Sequence, residues 1–239
     1  MWNSARLLDA IADALYALAA LLVLYGALVA AARLPAFALR EVHVSGPVRH
    51  VTRADLERAL AGIEGNFFTV DLAAVRAALE RLPWVRRAEV RRRWPDRLEV
   101  ILEEHRPLAR WEGGGLVSAL GELFRGERAG ELPLFGGPEE AVKEIAIQYE
   151  YFRGALAAIG ERPVEVWLSA RGAWRLKLAG GAWLELGRER VEQRIARFVA
   201  AYERALAPLG WRLEHVDLRY ANGFAVRVPR AAAAPREGV

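Results

Sequence analysis

From Ala14 to Ala32 the chain carries no charged residue, and the run LYALAALLVLYGALVAAA from Leu15 is apolar on every helical face. A helix packed against a soluble core shows one apolar stripe instead. About 19 residues at 1.5 Å rise reach ~28 Å, close to the hydrocarbon thickness of a bilayer. The pattern predicts one transmembrane helix over 14–33, after a short stretch 1–13. A signal peptide has a shorter apolar region and an A-x-A-type cleavage site. Ala30-Ala31-Ala32 mimics such a site, but the length of the run favours a retained span. Arg6 is offset by Asp9 and Asp13, while Arg33 and Arg40 lie downstream, so charge alone assigns no orientation. Gly26 and Ala30 have the small-xxx-small spacing of packed membrane helices, which an Ala-rich helix also meets by chance.

Beyond the span the periodicity changes. Leu39, Val42 and Val44 before Gly46-Pro47 read as a short strand ending in a turn. Thr52 with Asp55 forms a variant capping box ahead of Leu56, Leu60 and Ile63, which predicts a helix. Gly62 and Gly65 interrupt the chain. Asp71 caps a second helix carrying Leu72, Val75, Leu79 and Leu82, and Pro83 stops it. Trp84, Val85, Ala88 and Val90 begin a strand, Pro95-Asp96 turns, and Leu98, Val100 and Leu102 alternate along the next strand. The order β-α-α-β-β predicts a three-stranded sheet covered by two helices on one side.

A second region follows. Leu108 to Trp111 and Gly115 to Phe124 read as short strands, and Pro133 to Pro138 as a loop. Glu139 to Ile159 is amphipathic, with Val142, Ile145, Tyr149, Phe152 and Leu156 on one side. Strands are expected at 164–169, 174–178 and 183–186, then a helix from Arg188 to Ala207. Leu213, Val216, Leu218 and Tyr220 precede Asn222-Gly223, and Phe224, Val226 and Val228 follow. Asn-Gly suits a type I′ turn, whose two central residues need positive φ, so a tight final hairpin is expected. Residues 229–239 read as a disordered tail.

Composition narrows the chemistry. Of 239 residues, 54% are hydrophobic and 27% charged, as in a folded protein. The net charge of +4 is small for a duplex-binding protein, and without cysteine there is no disulfide, thiol nucleophile or thiolate metal site. His43, His50, His105 and His215 are scattered and lack metal-ligand spacing. No G-x-S-x-G, Walker or G-x-G-x-x-G motif is present, so neither enzyme nor cofactor nor small-molecule substrate is expected. The run Arg86, Arg87, Arg91, Arg92, Arg93 and Arg97 is the strongest charge feature. It reads first as a solvated strand face with Glu89 and Glu99 as partners, then as an attraction to anionic lipid or an acidic segment, and last as a nucleic-acid surface.

The final strand suggests a binding role. Phe224 to Val228 alternates, bears only Arg227 as a charge and has no following element to cover it. Such an edge is either protected or used by a partner that adds a strand.

The stretches FALREVHVSG (37–46), NFFTVDL (66–72), LPWVRRAEVRRRWPDRLEVILEE (82–104) and RPLARW (106–111) resemble the FtsQ/DivIB family. So do LSARGAWRLKL (168–178), LELGRERVEQRIARFVAAY (184–202) and HVDLRYANGFAVRV (215–228). The resemblance implies an α+β chain: the transmembrane helix, a β-α-α-β-β POTRA domain over 37–105, and a mixed α/β domain with a curved, antiparallel-rich sheet over 106–228. It implies a single-pass inner-membrane protein of the divisome, with a cytoplasmic N-terminus, a periplasmic bulk and enrichment at the septum. The implied partners are FtsB and FtsL, with FtsK and other division proteins contacting the POTRA domain. The FtsB-binding positions implied are Arg171, Arg219, Tyr220, Asn222, Gly223, Phe224, Val226 and Val228. Relatives carry Ser at the position of Asn222 and Trp at that of Val228, so this chain departs there, with Phe224 as a partial replacement for the aromatic anchor. A POTRA-type chaperone or secretion component for outer-membrane proteins is the alternative, which repeated POTRA units or a transmembrane barrel would favour.

Overall fold

The computed structural model describes residues 3–32, 37–126 and 130–229. The expected disordered tail therefore lies outside the described residues, apart from Pro229. Helix α1 runs Asn3–Ala32, and its stretch Leu8–Ala31 is long and apolar enough to cross a membrane. None of that stretch is covered by the rest of the protein, as a lipid-facing helix requires.

The chain divides into two compact units, 1–104 and 105–239. The first contains β1 (Glu41–Ser45), α2 (Arg53–Leu60), α3 (Leu72–Glu80), β2 (Val85–Arg93) and β3 (Arg97–Glu104). Strand β3 lies centrally, parallel to β1 and antiparallel to β2. The helix starts are fixed locally. Thr52 Oγ1 accepts from the Asp55 amide at 3.2 Å while the Asp55 carboxylate accepts from the Thr52 amide at 3.0 Å. Asp71 accepts from the amides of Ala73 and Ala74, satisfying donors that a helix terminus leaves open. Leu98, Val100 and Leu102 point from β3 onto Val75 and Leu79, with Leu56 and Leu60 of α2 against the same cluster.

Glu104 ends β3 on the buried side. Its carboxylate accepts from the amides of Arg49, His50 and Val51 at 2.9–3.0 Å, and His50 Nδ1 lies 3.0 Å away. The His50 ring stacks on Trp84 at 3.7 Å. Burial works to raise the Glu104 pKa, but these hydrogen bonds outweigh it and hold the carboxyl below its ordinary range. One carboxylate thereby pins the loop between β1 and α2.

The arginines of β2 are engaged. Arg86 meets Glu103 at 3.0 Å, Arg87 and Arg91 share Glu89, Arg93 faces Glu99, and Arg97 on β3 meets Glu41 at 2.9 Å. Arg92 instead donates to the carbonyls of Phe67 (2.6 Å) and Val70 (2.7 Å). The run is thus laced with carboxylates and main-chain oxygens, as a solvated strand face would be.

The second unit is built on β4 (Pro107–Trp111), β5 (Leu116–Ser118), β6 (Leu123–Phe124), β7 (Leu134–Gly136), α4 (Val142–Ala157), β8 (Pro163–Leu168), β9 (Trp174–Leu178), β10 (Trp183–Gly187), α5 (Val191–Ala201), β11 (His215–Asp217) and β12 (Ala225–Arg227). One sheet joins them in the order β12-β11-β10-β9-β8-β7-β4-β5-β6. Helices α4 and α5 bring Ile145, Phe152, Leu156, Ile195 and Phe198 onto Phe135, Val166, Leu176, Leu184 and Val216 of the strands.

Three expectations are corrected. Residues 133–138 are not all loop: Leu134–Gly136 is strand β7, parallel to both β4 and β8. Phe135 is fully buried there, and the Trp167 ring lies over Gly136, where a Cβ would come within 2.4 Å of it. The helix expected over 188–207 begins at Val191, because Arg190 is left-handed with φ 55°. It passes into a π turn at Tyr202–Leu206 and a 3₁₀ turn at Ala207–Leu209. The final hairpin is not closed by a type I′ turn. Asp217 pairs with Ala225, so residues 218–224 form the connection, and neither Asn222 nor Gly223 has positive φ.

Candidate partner-binding site

The physical basis of that wider connection lies on α5. Arg194 and Arg197 are three residues apart, on neighbouring positions of one helical surface. Arg194 donates to the carbonyls of Leu186 and Arg219, the latter at 3.2 Å. Arg197 donates to the carbonyls of Ala221, Tyr220 (3.0 Å) and Leu218 (3.5 Å). Main-chain oxygens that a two-residue turn would pair across the hairpin are turned instead toward two guanidiniums. The local Asn-Gly signal is overridden by this tertiary network.

Within the connection, Arg219 folds back on Asp217 with a fork of two bonds, Nε–Oδ1 at 2.9 Å and Nη2–Oδ2 at 2.7 Å. The Arg219 guanidinium, with a backbone bond from the same residue, holds the Asp217 carboxyl below its ordinary range, and Asp217 in turn raises Arg219. Tyr220 projects outward with 58% of its surface exposed, and Asn222 is exposed beside the half-buried Gly223. Phe224 turns inward and meets Phe198 edge-on at 5.9 Å. Val226 and Val228 are half-buried against the same core. Phe224 is therefore committed to the protein's own core, not freely displayed as an anchor.

Strand register decides which backbone groups are open. Leu218 N–H bonds to Glu185 O and Glu214 O accepts from Trp183, which turns Val216 of β11 toward β10, while Glu214 N–H, just before the strand, already reaches Arg227 O of β12 at 3.0 Å. His215 and Asp217 then face β12, where their partners are Arg227 and Ala225. In β12 the N–H and C=O of Val226 are left on the outer margin. Among the described residues no further strand lies beyond β12.

Arg171 sits in the turn between β8 and β9, where Gly172 N bonds to Ser169 O at 2.8 Å. It is exposed, and no ion pair joins it among the described residues. Trp174 pairs with Gly187, and β11 runs parallel to β10, so this turn and the 218–224 connection emerge at the same end of the sheet. Arg171, Arg219, Tyr220, Asn222 and Gly223 thus share one end, continuous with the β12 edge. No group of three or more His, Asp or Glu suited to a metal occurs among the described residues. Reading the sequence for chemistry missed Arg194 and Arg197, whose only signal was their spacing on the predicted helix.

Comparison with known proteins agrees with this architecture. Residues 37–105 match the family model "POTRA domain, FtsQ-type", and residues 109–219 match "Cell division protein FtsQ/DivIB, C-terminal". The chain is similar to the cell division protein FtsQ of Burkholderia pseudomallei, 46% identical over 235 residues that cover 95% of this chain and 94% of that one. It is 42% identical to FtsQ of Nitrosospira multiformis over 236 residues, 96% of this chain and 100% of the relative. FtsQ of Allochromatium vinosum is 41% identical over 196 residues, 79% of this chain and 77% of the other.

Proposed function

Because the chain belongs to the FtsQ/DivIB family of bacterial cell-division proteins, we propose that it is a single-pass inner-membrane scaffold of the divisome that recruits FtsB and FtsL. In this reading 1–13 is cytoplasmic, 14–33 spans the membrane, and a POTRA domain (37–105) and a β domain (106–228) lie in the periplasm at the septum. The POTRA domain contacts upstream division proteins such as FtsK. The protein acts by holding partners together, with no turnover of its own.

The observation that carries the reading is the outer margin of β12, which no strand among the described residues covers and where Val226 offers N–H and C=O. A segment of FtsB adds there as a further strand, main-chain bonds giving affinity and side-chain contacts specificity. Arg171 and Tyr220, exposed at the adjoining end, orient it. A guanidinium pairs bidentately with a carboxylate, so Arg171 suits an acidic side chain of FtsB.

Calorimetry of the full chain in detergent with a soluble FtsB–FtsL fragment tests this. Tyr220→Ala and Arg171→Glu each weaken binding about tenfold, equivalent to about 1.4 kcal/mol, with unchanged near-UV dichroism. Unaltered affinity in both variants discards the site. Orientation is tested apart, by protease protection on spheroplasts: digestion of residues 37–229 only after outer-membrane removal fits the periplasmic assignment, and protection there overturns it.

A further inference from the structure

Outside α1, two exposed aromatic side chains of the first unit stand at one end of it. Trp94 has 78% of its surface exposed, more than any other large hydrophobic side chain among the described residues, and Phe68 has 48%. Trp94 lies at the turn between β2 and β3, and Phe68 in the segment before α3. Arg92 ties the two together, since its guanidinium rises from the end of β2 to the carbonyls of Phe67 and Val70. Trp84, by contrast, is at the opposite end under the His50 ring.

The same end is where the chain arrives from α1. Phe67 N–H bonds to Phe37 O at 2.9 Å, and the Phe37 and Phe68 rings meet edge-on at 4.9 Å. Arg40 N–H bonds to Asp96 O at 3.0 Å, beside Trp94-Pro95. Phe37 follows the last residue of α1, Ala32, by five positions. At no more than ~3.6 Å per residue the tether spans at most ~18 Å, so this end cannot leave the neighbourhood of the bilayer in which α1 sits.

We propose that Trp94 and Phe68 insert into the headgroup region of the bilayer from which α1 emerges, and so dock the membrane-proximal end of the POTRA unit on the lipid surface. Aromatic rings, Trp above all, are favoured at that depth, where an apolar body meets lipid and the indole N–H meets water. Charge does not drive the contact. At this end Arg40 faces Asp96, Arg93 faces Glu99 and Arg97 meets Glu41, while Arg92 is taken up by the carbonyls of Phe67 and Val70. The docking therefore needs no anionic lipid. Its consequence is a restricted orientation: β1 and β2, the two margins of the small sheet, rise from the membrane and are not free to tumble.

The absence of cysteine permits single nitroxide labels at Thr69→Cys, beside Phe68, and at Arg81→Cys, toward the Trp84 end. The full chain is reconstituted in phosphatidylcholine bilayers, and collision of each label with a water-soluble nickel chelate is measured. The label at 69 is expected to be shielded severalfold relative to that at 81. Trp94→Ser, and separately Phe68→Ser, should abolish the shielding while near-UV dichroism is retained. Equal exposure of the two labels overturns the proposal, as does shielding that survives both substitutions, which would reflect the tether alone. Shielding that appears only after phosphatidylglycerol is added overturns it too, and leaves Trp94 and Phe68 as a surface for a protein partner.

Discussion

Arg197 donates its Nη2 to the main-chain oxygen of Tyr220 at 3.0 Å, from a helix onto a connection more than twenty residues away in sequence. The same guanidinium reaches Ala221 and Leu218, and its buried Nε has no hydrogen-bond partner among the described residues, so its geometry is dictated by the carbonyls. Arg197→Ala removes charge-assisted hydrogen bonds, of order 1.5–3 kcal/mol, and frees residues 218–224. Amide hydrogen exchange across 218–224 should accelerate while α4 and β8 stay protected. Arg197→Lys should restore little, because an ammonium is a point donor and not a planar fork.

Glu104 sets a pH dependence. Its folded pKa lies below the ordinary glutamate value of 4.5, so in the native state it holds its proton less readily than in the unfolded chain. The stability it contributes is complete above that value and is lost as pH falls through the depressed native one. Glu104→Gln keeps an acceptor but loses the charge, and should cost about 1–3 kcal/mol near neutrality. Denaturant unfolding of the first unit, followed through Trp84 under the His50 ring, should show the two proteins converging as pH drops below 4.5. A gap that stays constant into strong acid would refute the assignment.

Much of the first unit was legible because its signals are local. Thr52 with Asp55, and Asp71 before Leu72, act within one turn of their own helices. The alternation of Leu98, Val100 and Leu102 directly reflects one covered face of β3. The second unit hid what depends on distant partners. The segment Leu134–Gly136 has only three residues, followed by Gly137-Pro138, and is a strand because β4 and β8 flank it. Asn222-Gly223 carries a strong turn signal that Arg194 and Arg197 override from another element. Of the candidate site, Tyr220 and Arg171 are exposed as a contact surface requires, while Phe224 packs against Phe198, a commitment that alternation alone does not reveal.

The close approach of Trp167 to Gly136 gives a sharp packing test. A Cβ at 136 would stand 2.4 Å from the indole and 2.8 Å from the Glu112 carboxylate. Gly136→Ala therefore displaces the Trp167 ring from the middle of the sheet. Destabilisation of about 1–3 kcal/mol is expected, read as a lowered unfolding midpoint, with altered emission of Trp167 in a variant that keeps it as a reporter. The same change at Gly154 on α4, where nothing stands within 4 Å, should be neutral or slightly stabilising.

The open margin of β12 can be tested without touching its side-chain surface broadly. The outward N–H of Val226 has no ladder partner among the described residues, so a proline there removes a donor that their pairing does not use. Proline is tolerated on edge strands when the lost N–H faces outward. Val226→Pro should accordingly leave the melting temperature within a few degrees of the parent, since only the half-buried valine contacts are altered. Strand addition would lose its central main-chain bond and meet a ring where a backbone must approach. Binding of the FtsB–FtsL fragment by the full chain should fall at least tenfold, more than for Val226→Ala, which trims the side chain but keeps the N–H. If the alanine variant proves the weaker binder of the two, side-chain packing and not backbone pairing governs this edge, and the strand-addition mode is wrong.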